Sequence, residues 1–346
     1  MIMWNKIYQE DMDFVASYPS IDWKKFCDKT ILVTGGTGLI GSTLIKALMY
    51  ANNKKALNLQ IVALVRNATK AKRLFAEDKS LRFVIGTVED LPELDMPIDF
   101  IVHGASPTAS AYFIEHPVET INTAVMGTMN LLRLAVEKQV QGFLYLSSME
   151  VYGAPYTDEV ILENQGTTID TMSVRSCYPE AKRLCESLCA SYASEYKVPA
   201  MVIRLAQTFG PGVEKDDNRV FAEFARCAMH GQDIVLQTAG TSKRCYLYTA
   251  DAVTAMMTVL LNGEGGEAYN AANRSTYCSI VDMAKLVVEN LSEKHIKIHI
   301  PTNEKHEQKF PPTHSLNLGT DKIDKLGWQA SKGLVEMYKR MISGMI

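Results

Sequence analysis

The chain has 346 residues, enough for a large core and a second lobe. Its 47% hydrophobic and 22% charged content is that of an ordinary globular protein. A formal charge of −3 gives no basis for binding nucleic acid or an anionic membrane surface, and the seven scattered cysteines contain no CxxC pair, which argues against a disulfide framework and a zinc site. No metal is expected, and the cysteine usage fits a reducing, cytoplasmic setting. No apolar run is long enough to span a bilayer, and Lys6, Glu10, Asp11 and Asp13 break up any signal-peptide core.

Residues 1–28 are expected to form a helical extension. Met3, Trp4, Ile7, Tyr8, Met12, Phe14 and Val15 suggest one or two amphipathic helices, and Trp23 and Phe26 anchor them to the main body. Residues 30–34 then form a short apolar strand that runs into Gly35-Gly36-Thr37-Gly38-Leu39-Ile40-Gly41 and a helix through Tyr50. Strand, glycine turn and helix in this order make a dinucleotide cradle. The glycines at 35, 38 and 41 permit a tight turn, close backbone approach to a pyrophosphate, and close helix–strand packing. Free N–H groups at the helix start then face the phosphates. Gly35, Thr37, Gly38, Leu39, Ile40 and Gly41 are therefore expected cofactor-binding residues.

The second strand, 59–65, ends in Arg66-Asn67. A carboxylate at such a position holds the ribose hydroxyls of NAD, whereas an arginine can accept the 2′-phosphate of NADP. Arg66, with Lys70, Lys72 and Arg73 nearby, tilts the local charge toward NADP; the alternative is that Arg66 covers the adenine and the other bases form a solvated helix face. A third strand at 81–85 leads to a loop that puts Thr87 and Val88 near the adenine. A fourth at 100–103 ends in His103, which reads as fixing the strand end. Ala105 and Ser106, both small, then leave room for the dinucleotide backbone. Residues 118–136 are helical.

The strand at 142–147 opens the stretch with the chemistry. Ser148-Met149-Glu150-Val151-Tyr152-Gly153 follows, and Cys177-Tyr178-Pro179-Glu180-Ala181-Lys182 starts a helix. A hydroxyl at a strand end, a tyrosine, and a lysine one helical turn later on the same face form a proton-transfer set: Ser148, Tyr178 and Lys182. Cys185 and Cys189, a turn apart, read as buried apolar thiols. After a strand at 200–204, the turn-rich run 205–212 marks the start of a second lobe. A helix at 220–230, a polar stretch at 237–244, a strand at 267–273 returning to the sheet, and an amphipathic helix at 279–291 capped by Ser279 come next. The tail holds a Lys/Glu/His-rich loop at 302–309, Pro311-Pro312, and a helical pair around Lys325-Leu326-Gly327-Trp328. Alternating strands and helices predict an α/β chain with a parallel sheet covered on both faces.

The glycine turn, the Ser148–Gly153 run and Tyr178-x-x-x-Lys182 together resemble the extended short-chain dehydrogenase/reductase family, from Lys29 onward. Phe209-Gly210-Pro211, Ser242-Lys243-Arg244, Tyr269-Asn270 and Leu326-Gly327-Trp328 extend the likeness to its nucleotide-sugar branch of epimerases, 4,6-dehydratases and decarboxylases. Within the branch the nearest likeness is to UDP-glucuronate decarboxylases. It is carried by Ala105-Ser106-Pro107 with Tyr112 and 116–120, by 175–183, and by Lys243-Arg244-Cys245. The chain departs from the family pattern at Arg66, Thr87 and Gln207, where an acidic residue, aspartate and asparagine are usual. Met149 stands where decarboxylases tend to carry serine and 4,6-dehydratases aspartate.

The resemblance implies a Rossmann-type doubly wound parallel sheet, here 29–207 and rejoined by about 244–273, with a smaller C-terminal substrate-binding lobe, 208–346. It implies NAD, with NADP as the alternative because of Arg66, and a homodimer formed through the helices after His116 and Tyr178. The substrate it implies is a nucleotide-diphosphate sugar, contacted by Pro107, Tyr112, Met149, Gln207 and Arg244. Tyr178 becomes the general base for the sugar 4-hydroxyl, its phenol lowered from ~10 by Lys182 and a positive nicotinamide. Lys182 also holds the nicotinamide ribose, and Ser148 orients the hydroxyl. A 4-keto sugar results. Glu150 is then a catalytic carboxylate beside Met149, which cannot donate a proton. A base without the paired acid ranks decarboxylation of a UDP-hexuronate above 4,6-dehydration. 4-Epimerisation, a simple NADP-dependent reductase, and a catalytically inactive dinucleotide-binding sensor or scaffold are the other expectations.

Overall fold

The computed structural model describes residues 5–108, 110–292, 294–301 and 314–345. Met3, Trp4, the loop 302–309 and Pro311-Pro312 lie outside the described residues. Short runs rich in Val, Ile and Leu, bounded by glycine or polar residues, form the first strands. These are β1 (Thr30–Thr34), β2 (Gln60–Val65), β3 (Leu81–Ile85), β4 (Phe100–His103) and β5 (Gly142–Ser148). They are followed by β6 (Val160–Ile161), β7 (Ala200–Leu205), β8 (Gln207–Phe209), β9 (Ile234–Val235), β10 (Lys243–Tyr248), β11 (Ala268–Ala271), β12 (Asn273–Ser279), β13 (Ile298–His299) and β14 (Ser315–Leu318).

Seven strands form one parallel sheet in the order β11-β7-β5-β4-β1-β2-β3. Its register sets Val33 opposite Ala63 on β2 and Val102 on β4. Successive β1 residues serve opposite faces, as the pleat requires: Ile31 and Val33 join one core, Leu32 the other. The first core is completed by α2 (Leu39–Lys55) and the second by α5 (Pro117–Lys138) and α6 (Cys177–Tyr196), with α3 (Ala68–Leu74) and α4 (Ser110–Glu115) lying between them in the chain. Cys185 and Cys189 are buried in the second core, as free thiols. From β1 the chain winds toward β3 on one side and toward β11 on the other. The crevice for a ligand therefore opens at the carboxyl ends of β1 and β4.

A second, mixed sheet runs β12-β10-β14-β6, with β8 also on β10. Between and around these strands lie α7 (Val220–His230), α8 (Thr249–Asn262), α9 (Ile280–Leu291), α10 (Asp321–Asp324) and α11 (Leu334–Ser343). The return to the main sheet is made by β11; Arg244 sits on β10, in the second sheet. Residues 325–328, around which a helical pair is expected, link the two helices α10 and α11. Gly327, at φ +86°, turns the chain there, and Trp328 is buried with its Nε1 donating to Thr254 Oγ1 (2.9 Å). No described helix is long and apolar enough to cross a membrane.

The extension forms α1 (Lys6–Ala16) and a 3-10 turn at Trp23–Phe26, both anchored by buried side chains. It does more than pack. Asp11 is nearly inaccessible, accepts from the Tyr248 hydroxyl (2.6 Å) and pairs with Arg340 of α11 (3.0 Å). Arg340→Ala would strand that carboxylate in a dry site. Breaking a buried pair from one side costs about 3–5 kcal/mol. Urea unfolding should show a correspondingly lower midpoint, and a wild-type midpoint would disprove the role assigned to this contact.

Candidate active site

The cradle at the end of β1 is built from backbone alone. Gly35 has φ +73°, and a Cβ there would lie 2.5 Å from the Gly104 carbonyl oxygen, so the turn and the end of β4 touch directly. Gly41 is equally confined, against Gly35. Gly38 differs. Its Cβ would meet nothing closer than the Gly35 oxygen at 3.4 Å, which leaves that side open. It caps α2 without a side-chain hydrogen bond, so the first N–H groups of the helix, at Leu39, Ile40 and Gly41, are left for a ligand. Thr37 lies within the same turn.

Around the cradle, Ala105 N–H donates to Thr34 Oγ1 (3.2 Å), and the Ser106 hydroxyl is buried with no partner among the described residues. An open glycine, an uncapped helix start and an orphaned hydroxyl on one crevice fit a dinucleotide. Val88 is buried against Gly127, and its carbonyl accepts from Asn130 (3.1 Å). Thr87 uses its hydroxyl to accept from the Asp90 N–H (3.0 Å). Arg66 is exposed at the end of β2. His103 is buried, with Nδ1 bonded to Thr34 Oγ1 (2.8 Å) and Nε2 to Thr128 Oγ1 (3.2 Å). Burial and the nearby Lys182 ammonium push it down to about 3, so it is neutral. Its ring is fully engaged in tying β1 and β4 to α5. Any contact it makes with a dinucleotide comes from its main chain.

Ser148 ends β5 and turns the chain into a 3-10 helix, its Oγ accepting from Glu150 N–H (3.2 Å). Tyr178 and Lys182 stand on the first turns of α6, both buried, and Ser148 is near enough to the Tyr178 phenol to favour its ionised form. Lys182 Nζ donates to the Leu146 carbonyl (2.7 Å) and lies 4.6 Å from the Tyr145 ring centre and 5.7 Å from that of Tyr178. Desolvation lowers Lys182 to about 8. The expectation that Lys182 lowers Tyr178 is corrected for the protein alone. Burial raises the phenol far above its ordinary value, and the Glu150 charge adds to this, against weaker opposition from Ser148 and Arg175.

Glu150 is half-buried and pairs with Arg175 (Nη2 to Oε2, 2.8 Å). Arg175 lies 4.9 Å over the Phe113 ring, and Phe113 stacks on Tyr178 at 4.3 Å and 11°. Carboxylate, guanidinium, phenyl and phenol thus form one continuous stack. Sequence reasoning passed over Phe113 and used Arg175 only as part of the 175–183 likeness, with no role of its own. The available signals were an arginine one turn before Tyr178 and an aromatic beside Tyr112. Tyr112 itself packs on His116 (4.6 Å), and Pro107 is half-buried. Met149, expected in the pocket wall, is buried in the main core with Val151 and Tyr152, because the 3-10 turn sends these apolar side chains inward. Gln207 on β8 is paired in register with Tyr246 of β10, two residues beyond Arg244. Arg244 bonds His314 Nε2 (3.1 Å), and its Nε is buried without a partner among the described residues.

A family model described as "NAD dependent epimerase/dehydratase family" matches residues 31–272, most of the chain. The chain belongs to the NAD-dependent epimerase/dehydratase family. UDP-glucuronic acid decarboxylase 5 of Arabidopsis thaliana is 30% identical over 316 residues, covering 90% of this chain and 88% of that protein. Among solved structures, a dTDP-glucose 4,6-dehydratase from Streptomyces venezuelae with NAD bound superposes with a TM-score of 0.74 at 22% identity, over 91% of this chain and 96% of that one. A UDP-N-acetylglucosamine 4-epimerase from Methanobrevibacter ruminantium gives a TM-score of 0.75 at 18% identity, over 92% and 100%. These two likenesses establish the fold, a doubly wound Rossmann-type sheet.

For this member of the epimerase/dehydratase family the two glycines separate structure from binding. Gly35→Ala forces a Cβ into the Gly104 carbonyl at a positive φ, a strain of about 1–3 kcal/mol that should lower the melting temperature. Gly38→Ala should melt as wild type does yet weaken NAD at least about tenfold in a fluorescence titration, by filling the open side of the cradle. Undiminished NAD binding by Gly38→Ala would refute the cradle.

Proposed function

We propose that this chain oxidises a nucleotide-diphosphate sugar at C4 and decarboxylates a UDP-hexuronate, with NAD held and recycled in the crevice. One observation carries the reading: a Ser148–Tyr178–Lys182 set stands beside Glu150, while position 149 is an apolar methionine turned into the core and offers no proton donor for elimination of water. The likeness to decarboxylases over most of both chains supports it. When bound in the crevice, NAD would supply the hydride acceptor for the oxidation and the hydride donor for the closing reduction. The positive charge of a bound nicotinamide would lower the phenol that burial raises, so that Tyr178 can take the proton of the 4-hydroxyl while Ser148 orients that oxygen and the Lys182 ammonium lies 5.7 Å from the phenol ring centre. The 4-keto hexuronate is a β-keto acid. Its C5–C6 bond breaks with the electron pair moving onto the O4 oxygen, where Tyr178 and Ser148 stabilise the enolate. Carbon dioxide leaves, C5 is reprotonated with Glu150 as the adjoining proton-handling group, and Tyr178 returns its proton to O4 as C4 is reduced.

A second reading follows from the Glu150–Arg175 ion pair. If that pair is purely architectural, no group remains for C5 chemistry and the same set performs 4-epimerisation. We further propose a two-lobe division, with Pro107, Tyr112, Gln207 and Arg244 toward the sugar nucleotide. The exposed apolar side chains of α5 and α6, among them Val118, Ile121, Met126 and Leu184, support a homodimer through these helices.

Incubation with UDP-glucuronate, UDP-glucose and dTDP-glucose, read by mass spectrometry, tests the reaction. Loss of carbon dioxide from UDP-glucuronate is expected. An untouched UDP-glucuronate alongside a converted second sugar would eliminate the decarboxylase. Tyr178→Phe should lower turnover by about 10²–10⁴-fold while NAD still binds. Glu150→Gln should still form the ketone but slow the C5 reprotonation that follows loss of carbon dioxide, read as slower appearance of the pentose product. Equal slowing of both steps would remove Glu150 from the C5 chemistry.

A further inference from the structure

Behind the proton-transfer set lies a buried polar cluster that the chemistry above does not use. Glu186 follows Lys182 by one turn of α6 and Tyr178 by two, so the three share a helix face. Its side chain is only 12% exposed, and its carboxylate is gripped by Arg204 of β7 through Nη2 (2.6 Å) and Nε (3.0 Å). The Ser147 hydroxyl, one residue before Ser148, donates to the same carboxylate. Arg204 Nη1 reaches on to the Tyr152 hydroxyl (2.8 Å), which donates to Asn270 Oδ1 of β11 (2.7 Å). One ion pair therefore joins the end of β5, the catalytic face of α6, β7 and the edge strand β11.

A buried ion pair is poor value as a source of stability, because desolvation offsets most of the attraction. Its location points to a different role. Lys182 is faced by Cys185, Cys189 and Tyr178 from its own helix, by Tyr145 from β5 and by His103 from β4. None of these supplies a negative charge. Burial keeps Tyr145, Tyr178 and Cys189 protonated, Cys185 donates its thiol proton to the Ala124 carbonyl, and His103 is neutral. Glu186 is the carboxylate in this environment.

We infer that Glu186, clamped by Arg204, is a positioning residue for the proton-transfer set. It keeps Lys182 an ammonium in a dry site and, through Ser147, holds the strand end that presents Ser148. This rests on the proposed roles of Tyr178 and Lys182. Removing the Glu186 charge withdraws an influence that favours the ammonium, so Lys182 should lose its proton at lower pH.

The decisive measurement is the NMR titration of Lys182 in full-length protein with labelled lysine side chains, its signal assigned by loss in Lys182→Arg. In Glu186→Gln the midpoint should fall by on the order of one pH unit, and the alkaline limb of hydride transfer, followed by nicotinamide absorbance, should move down with it. In Glu186→Asp the midpoint should stay while hydride transfer slows about tenfold at unchanged KM, since charge is kept and reach is lost. Ser147→Ala deletes one hydroxyl and keeps the test decisive if Glu186→Gln does not fold; it should slow hydride transfer without moving the midpoint. An unmoved midpoint in folded Glu186→Gln, or wild-type hydride transfer in Ser147→Ala, overturns the inference. If the wild type oxidises none of the three sugars, the proposed reaction falls, and the Lys182 titration still decides whether Glu186 holds the ammonium.

Discussion

An ammonium group almost wholly withdrawn from water is the constraint on which the site depends. Lys182 has the Leu146 carbonyl as its hydrogen-bond acceptor and the face of Tyr145 as its floor. Both come from β5, so α6 must lie close across that strand. The same approach brings Tyr178 to Ser148 at the strand end. Ser148, Tyr178 and Lys182 are thus assembled by one helix–strand contact, whose apolar filling includes Cys185, Cys189 and Ala181. The thiols serve as small hydrophobes where larger side chains would hold the helix off.

The two halves of the site differ in how they are made. The cradle is main chain against main chain, Gly35 on Gly104, and its geometry is set by what is missing from those residues. The other half is made of side chains layered from four segments: Glu150, Arg175, Phe113 and Tyr178. A backbone cradle serves any dinucleotide. A side-chain stack can be altered one residue at a time, which suits a fold that hosts several reactions on one cofactor.

The main sheet was legible because its signals are local. β1 with the glycine turn, β4, and β5 leading to Ser148 each carry their meaning within about ten residues, and parallel buried strands are continuous apolar runs. The second sheet was not legible. β6, β8, β10, β12 and β14 are short and come from segments far apart in the chain, and the pairing of Lys243 with both Ser279 and Ser315 has no local signature. The same limit hid Phe113 and the contacts of Arg175, whose importance lies in what they touch. It also misdirected the expectation for Tyr178, since spacing shows a lysine one turn away but not how dry the phenol is. Met149 was read as a wall because its neighbours face the site, and the 3-10 turn that sends it inward is set by tertiary packing.

The extension at α1 bears on how the molecule comes to be folded. Asp11 meets Arg340 across 329 positions of sequence, and its other partner, Tyr248, is itself 237 positions away. A helix made early in synthesis must therefore wait for a helix made near the end before its carboxylate is paired. Until then Met12 and Val15, fully buried in the finished molecule, have only part of their final surroundings. Closing so long a loop adds little to the equilibrium cost, which grows only with the logarithm of length. Its burden falls on time: during translation the nascent chain carries an amphipathic helix whose partners in α11 have yet to be made, and apolar surface exposed in this way is prone to aggregation.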